Sequence, residues 1–240
     1  MAEVQLNATQ DDTFAQRIAQ TLQLLKTSLP VQRKLVHAGD KIYRVGQAFG
    51  VLHVVSTGMV KTVNLSADGR EQVVGLHFKG DWLGLEGIAT GHYTCDAVAM
   101  DTGEVWSVHY DALVMAAMRE PRLLRALHDA MSRQLARDHD SLQSLCALPT
   151  DARVASFLHY WADAMAKRGL RTDQISLHMT RAEIGNYLGM TLESVSRGLS
   201  RLARSDIIRF LEKGRREIQI PQVEALDSFV RRSIASTTTA

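Results

Sequence analysis

Four side chains within nine residues, Glu193, Ser196, Arg197 and Arg201, have the types and spacing to read a hydrogen-bonding surface. At i, i+3, i+4 and i+8 they share one side of a helix. Arginine at 197 carries a planar fork that can donate two hydrogen bonds to guanine O6 and N7, and a carboxylate at 193 can accept from a cytosine amino group. A serine at 196 is small enough to lie against a thymine methyl or to reach a phosphate. The chemistry on offer is recognition of a base edge.

Such residues need a rigid carrier, and the stretch 180–202 supplies one. Thr180 with Glu183 three residues later is a capping-box start. Ile184, Gly185 and Leu188 give a short first helix its packed face, and Gly189 can take the left-handed conformation of a tight turn. Thr191 caps a second helix whose buried stripe is Val195, Leu199 and Leu202. This is the grammar of a helix-turn-helix whose second helix enters a DNA major groove. The same spacing also serves an αα-hairpin buried in a core.

Composition narrows the setting. A chain of 240 residues is enough for one large or two ordinary domains, and its 45% hydrophobic content suits a globular core. The net charge of +2 gives no whole-molecule argument for nucleic acid. Locally the balance differs, because seven basic residues (197, 201, 204, 209, 213, 215 and 216) stand against Asp206 and Glu212. Positive charge next to the reading helix is what a phosphate-contacting surface requires. Cys95 and Cys146 are too few for a disulfide framework or a four-cysteine metal site. The polar, acidic N-terminus is not a signal peptide, and no apolar run approaches the ~18 residues of a membrane span. The expected location is cytoplasmic, with no membrane partner.

The chain divides into four segments. Residues 1–29 read as a tail, disordered to about residue 12, and a short helix on Phe14, Ile18, Leu22 and Leu25. Segment 30–120 carries short strands at 33–37, 41–44, 51–56, 59–65, 71–77, 94–99 and 104–108, punctuated by glycine turns. The pattern is that of an antiparallel sandwich or jelly roll, with a hairpin turning at Asp68-Gly69. Segment 121–149 is a long helix ended by Pro149. Its seam of Leu124, His128, Met131, Leu135, Asp138, Leu142 and Leu145 follows alternating four- and three-residue steps, suited to pairing with a second copy of itself. Segment 150–240 holds another amphipathic helix, the helix-turn-helix and a hairpin over 210–220 turning at Lys213-Gly214, the wing of a winged helix. The last residues, 233–240, read as disordered. The class is therefore α+β.

The order of sheet domain, long helix and winged helix resembles the CRP/FNR superfamily of bacterial transcription regulators. The likeness runs from about Lys34 to Ile220, and M-T-R-A-E-I-G-N-Y-L-G-M-T-L-E-S-V-S-R (179–197) and K-G-D-W-L-G-L-E-G-I-A-T-G-H (79–92) resemble the FNR branch most. The resemblance implies a cyclic-nucleotide-binding-like roll, a homodimer, an activator that recruits RNA polymerase, and no enzymatic activity. It puts Glu193, Ser196 and Arg197 on the E-x-x-S-R positions that contact bases. Leu192 stands where the CRP branch has a base-reading arginine, which favours a TTGAT half-site and an inverted repeat TTGAT-N4-ATCAA. The candidate DNA-binding set is Glu193, Ser196, Arg197, Thr191, Arg201, Thr180 and Arg181, with Lys213, Arg215 and Arg216 on the wing. Gly198 departs from the family's bulkier aliphatic. In mid-helix it costs about 1 kcal/mol relative to alanine, unless it permits close packing.

The input is read largely by exclusion. No arginine occurs from 80 to 100 to hold a cyclic phosphate, and Asp96 lies nearby, so cyclic AMP does not suit the roll. The FNR branch holds an iron–sulfur cluster on four cysteines; this chain has none before Cys95, and Trp106 stands at the sheet-domain ligand position. His37, His53, His77, His92 and His109 leave haem, and with it nitric oxide or redox sensing, as an alternative. A metal-dependent enzyme on the barrel and a non-specific architectural DNA binder are the readings from other classes. Asp138 is either a solvated edge position or a buried like-charge pair that keeps the dimer marginal, since the resemblance places an aspartate there too.

Overall fold

The computed structural model describes residues 2–65, 71–211 and 216–238. It has two compact units, Thr13–Ala136 and Arg137–Ala240 with Met1–Asp12. The chain opens with α1 (Ala2–Ser28), then β1 (Gln32–Val36), β2 (Lys41–Tyr43), β3 (Val51–Thr57), β4 (Val60–Leu65), β5 (Glu71–His77) and β6 (Trp82–Leu83). Next come α2 (Gly87–Thr90), β7 (Asp96–Ala99), β8 (Gly103–His109), α3 (Tyr110–Ala117) and the long α4 (Pro121–Ala147).

The strands of the first unit form two four-stranded sheets, ordered β1-β8-β3-β6 and β2-β7-β4-β5. All their pairings are antiparallel. Alternation along β3 explains how the layers stack. Leu52 and Val54 point to a core shared with Leu25 of α1 and Leu123 and Leu127 of α4. Val55 points the other way, into the space between the sheets with Tyr43, Leu83 and Tyr93. A strand buried on both faces loses the polar alternation of a surface strand. The α+β class with an antiparallel roll is as expected from the sequence.

The second unit carries α5 (Thr150–Ala166), β9 (Gln174–Ser176), α6 (Arg181–Tyr187), α7 (Leu192–Arg204), β10 (Arg209–Phe210), β11 (Glu217–Gln219) and α8 (Val223–Thr238). Its core is built on Val154, Phe157, Leu158 and Trp161 of α5, with Ile184, Val195, Leu199, Leu202 and Leu226 packed around them. The expected hairpin over 210–220 is part of a three-stranded sheet, β10-β11-β9. The turn at Lys213-Gly214 lies outside the described residues, as does the turn at Asp68-Gly69.

Both chain ends depart from the sequence reading. Residues 2–12 and 233–238, expected to be disordered, are helical in α1 and α8. The reason is local: neither stretch contains a glycine or proline, so nothing interrupts a helix begun alongside it. Among the described residues no helix is long and apolar enough to cross a membrane.

Candidate DNA-binding site

The site is assembled from two caps and a turn. Thr180 sits in extended backbone at φ −70°, ψ 161°, and its Oγ1 accepts from the Glu183 N–H at 3.2 Å. The Glu183 carboxylate in turn accepts from the Thr180 N–H at 2.7 Å, so both orphan donors at the start of α6 are satisfied. The turn that follows needs glycine twice. A Cβ on Gly185 would lie 2.7 Å from the Met190 carbonyl oxygen, which is backbone and cannot yield. Gly189 takes φ +60°, the left-handed value its place after α6 requires. Thr191 then caps α7, accepting from the Ser194 N–H at 3.2 Å.

α7 buries Val195, Gly198, Leu199 and Leu202 and turns Glu193 and Arg197 to solvent, with Ser196 half-buried between them. Gly198 has a structural reason. A Cβ there would stand 2.8 Å from Val154 Cγ2, so its absence lets α7 lie directly on α5. Arg197 Nη2 donates to Ser194 Oγ at 3.2 Å, which holds the guanidinium along the exposed face. Hydrogen bonding by its own backbone N–H and by Thr191, with the charge of Arg197, holds the Glu193 carboxyl below the usual carboxylate range. An exposed anion and an exposed cation thus stand one turn apart on the outer face of α7. Leu192, exposed in the first turn, presents the apolar surface beside them.

The remaining expected contacts divide. Thr180 and Thr191 are exposed but spend their hydroxyls on caps, while Arg181 is half-buried in the first turn of α6. Arg201 is exposed and ion-paired to Asp151 at the start of α5. Arg216 is exposed beside β11, and Lys213 and Arg215 lie outside the described residues. Three positioning residues were not legible in the sequence. Ser194 orients Arg197. Arg153 donates from Nε to the Leu148 carbonyl at 3.0 Å and from Nη1 to the Leu188 carbonyl at 3.3 Å, tying the chain after α4 to the end of α6. Tyr187 is largely buried and hydrogen-bonds Ser141 of α4, which opposes the upward push of burial on its hydroxyl.

The expected dimer seam lies open on α4. Leu124, His128, Met131, Leu135, Asp138 and Leu142 are all exposed, and Leu145 is half-buried. The adjacent residues Leu123, Leu127 and Ala130 are buried instead.

In the roll, the segment 84–96 that the sequence resemblance to a cyclic-nucleotide site singles out packs against the sheets through an aromatic cluster. Tyr43 and Tyr93 stack with centroids 4.0 Å apart, and the Glu86 carboxylate receives the Tyr43 hydroxyl and the Cys95 thiol, each at 3.5 Å. Burial and then the Glu86 charge push the Cys95 thiol up to about 12, so it is a packed thiol and not a thiolate ligand. Lys41 at 2.5 Å and the Val45 N–H at 2.7 Å are spent on Asp96. These residues do not fit a cyclic nucleotide's phosphate: Glu86 is an anion, and the nearby Lys41 is already paired with Asp96. The histidines considered for haem are also dispersed. His53 and His77 are buried against the hydroxyls of Ser107 and Thr62, and His37, His92 and His109 are exposed. Among the described residues no three His, Cys, Asp or Glu side chains converge on a metal-sized site.

A capped helix-turn-helix beside a three-stranded sheet, in a chain that also folds a double-sheet roll, defines a DNA-binding regulator with a second, separate unit. Comparison with known proteins agrees. Residues 152–229 match the Crp-like helix-turn-helix domain, and residues 33–120 match the cyclic nucleotide-binding domain. The transcriptional activator protein Anr of Pseudomonas protegens is 32% identical over 186 residues, covering 78% of this chain and 74% of that protein. The transcriptional regulatory protein btr of Bordetella pertussis is 31% identical over 195 residues, 81% of each chain. The solved structure of FixK2 from Bradyrhizobium japonicum superposes with a TM-score of 0.72 at 29% identity, over 83% of this chain and 97% of that one. The chain belongs to the CRP/FNR family of transcription regulators, a family of DNA-binding proteins and not of enzymes.

Proposed function

We propose that the protein is a homodimeric regulator that reads the inverted repeat TTGAT-N4-ATCAA and activates transcription by recruiting RNA polymerase. The observation that carries the reading is the outer face of α7. Arg197 is aimed along the helix by Ser194, Glu193 is ionised beside it, and Leu192 offers an apolar contact for a thymine methyl. The exposed seam on α4 supports the dimer. Leu135 and Leu142 are 61% and 59% exposed, and a second copy is the partner that a coiled-coil-like period fits. Two copies would set two reading helices on half-sites about one helical turn apart. The name of Anr as an activator supports the direction of regulation.

The test is binding to TTGAT-N4-ATCAA duplex and to scrambled duplex at one fixed salt concentration. A preference of at least ~1,000-fold is expected of a specific reader. A ratio near one would instead establish a non-specific architectural binder. Asp138 is exposed in the single chain and would face its own copy across the seam. Two carboxylates there would repel, so Asp138→Ala tightens the dimer, as read by analytical ultracentrifugation; equal or weaker dimerisation removes that role. The input reading, a signal other than cyclic AMP, rests on Glu86 and on the absence of arginine from 80 to 100.

A further inference from the structure

The first unit holds an arginine-lined groove between α1 and α4, away from the stacked tyrosines of the roll. Its volume is about 650 Å³, within the range of small-molecule sites. Arg17 of α1 and Arg122, Arg125 and Arg133 of α4 line it, and Asp129 is the only carboxylate among the lining residues. Arg122 is engaged by Glu120 through two hydrogen bonds of 2.7 Å. Arg17 and Arg125 make no ion pair among the described residues.

Two features make this more than a charged surface. Arg17 and Arg133 both stand over the Phe14 ring, 5.7 and 5.8 Å from its centroid. The ring thus gathers two guanidinium groups at one place on the groove wall. Guanidinium groups also present paired donors matched to phosphate or carboxylate oxygens. The second feature is the floor. Gly80 takes φ +86°, and a Cβ there would lie 2.6 Å from Ile18 Cγ2, so α1 is seated directly on this turn. Packing of Ile18 on the Gly80 turn therefore fixes the seat of α1 at the groove floor.

Its place on α4 keeps it open in a dimer. Arg122, Asp129 and Arg133 stand on the far side of α4 from the seam, each two residues from one of its positions (124 or 131) and about 200° round the helix, while Arg125 follows Leu124 by one residue and flanks the seam. A partner on the seam would leave the first three uncovered.

We propose that this groove is a binding site for a small aromatic polyanion, a molecule with a flat ring for Phe14 and phosphate groups for Arg17, Arg125 and Arg133. Isothermal titration of the full chain with ATP, pyrophosphate and adenosine tests it, with magnesium left out. ATP is expected to bind saturably and most tightly, pyrophosphate more weakly and adenosine weakest. The double variant Arg17→Ala/Arg125→Ala is expected to weaken ATP at least tenfold while keeping the wild-type far-UV circular dichroism. Phe14→Leu, which keeps the groove charge, is expected to erase the advantage of ATP over pyrophosphate. Absence of saturable ATP binding overturns the proposal. So does equal ATP affinity in wild type and a folded double variant, because the anion would then be held elsewhere. Should the double variant fail to fold, Arg125→Gln alone supplies the same comparison.

Discussion

Gly198→Ala is the sharpest test of how the reading helix is held, because two effects of known size oppose each other. Glycine in mid-helix is about 1 kcal/mol worse than alanine, so an unencumbered site would be stabilised by that amount. Here the new Cβ would lie 2.8 Å from Cγ2 and 3.3 Å from Cβ of Val154, a residue with no solvent exposure. Carbon atoms rest at about 3.5–4.0 Å, so α7 must withdraw from α5 by roughly 1 Å. Overpacking of that kind costs about 1–3 kcal/mol, leaving a net loss of up to ~2 kcal/mol. Amide hydrogen exchange of α7 reads the change locally and separates it from the sheet unit. The expected result is faster exchange from 195 to 202 in Gly198→Ala. In a Val154→Ala background the obstructing methyl groups are gone, and the same substitution should slow exchange. Slower exchange in the wild-type background would refute the packing argument, and so would an identical effect in both backgrounds.

Other predictions follow from single interactions. Arg197→Lys keeps the charge and loses the fork, so discrimination at the guanine should fall by about 1–3 kcal/mol while the salt dependence of binding is unchanged. Competition binding measures this, and an equal loss on scrambled DNA would contradict it. Arg153→Ala removes two charge-assisted hydrogen bonds to the Leu148 and Leu188 carbonyls, worth about 3 kcal/mol together at the low end of the range for charged donors. Thermal unfolding should show the loss, and Arg153→Lys should restore at most part of it, since one ammonium replaces a two-armed group. His53 concerns acid. Burial, and then the Lys34 charge, lower its pKa from 6.5 to about 4. The neutral ring therefore stabilises the fold fully above pH 6.5, and that contribution is lost as pH falls towards 4. The displacement is worth about 3 kcal/mol. His53→Gln should flatten the stability profile between pH 6.5 and 4; an unchanged slope would show that another group titrates there.

The helix-turn-helix was legible because every local signal along it agrees. Thr180 and Glu183 cap, Gly189 turns, Thr191 caps again, and the stripe from Val195 to Leu202 is buried as its spacing requires. The major strands of the roll were legible from glycine turns and apolar runs. The elements that escaped are those with little pattern of their own. β9 has three residues with one buried side chain, Ile175, and exists because Ile218 of β11 pairs with it. β6 is two residues held against β3. Ser194, Arg153 and Tyr187 escaped for a different reason. Their partners are the Arg197 guanidinium, two backbone carbonyls and a residue of another helix, none of which leaves a trace in the apolar pattern. The tyrosine filling of the roll was equally hidden, since Tyr43 and Tyr93 are 50 positions apart and only the sheets bring them together.

α4 shows why the output of such a chain is easier to read than its input. DNA presents a fixed, repeating surface, so the residues that meet it must stand at helical spacing on one rigid face. A sensor has no such template, and here one helix serves several surfaces. The buried residues Leu123, Leu127 and Ala130 each precede a seam position, about 100° away round the helix, and the groove residues Arg122, Asp129 and Arg133 lie about 200° away. Each face constrains the others because a helix moves as a body. Leu123 and Leu127 share their core with Leu25, while Ile18, also on α1, is locked on Gly80. Displacing α1 would therefore strain the core on one side of α4, while the exposed seam lies on another. On the proposed reading, in which two copies meet at that seam, a signal that changes how α1 rests on α4, where the arginine groove lies, reaches the dimer interface without touching it.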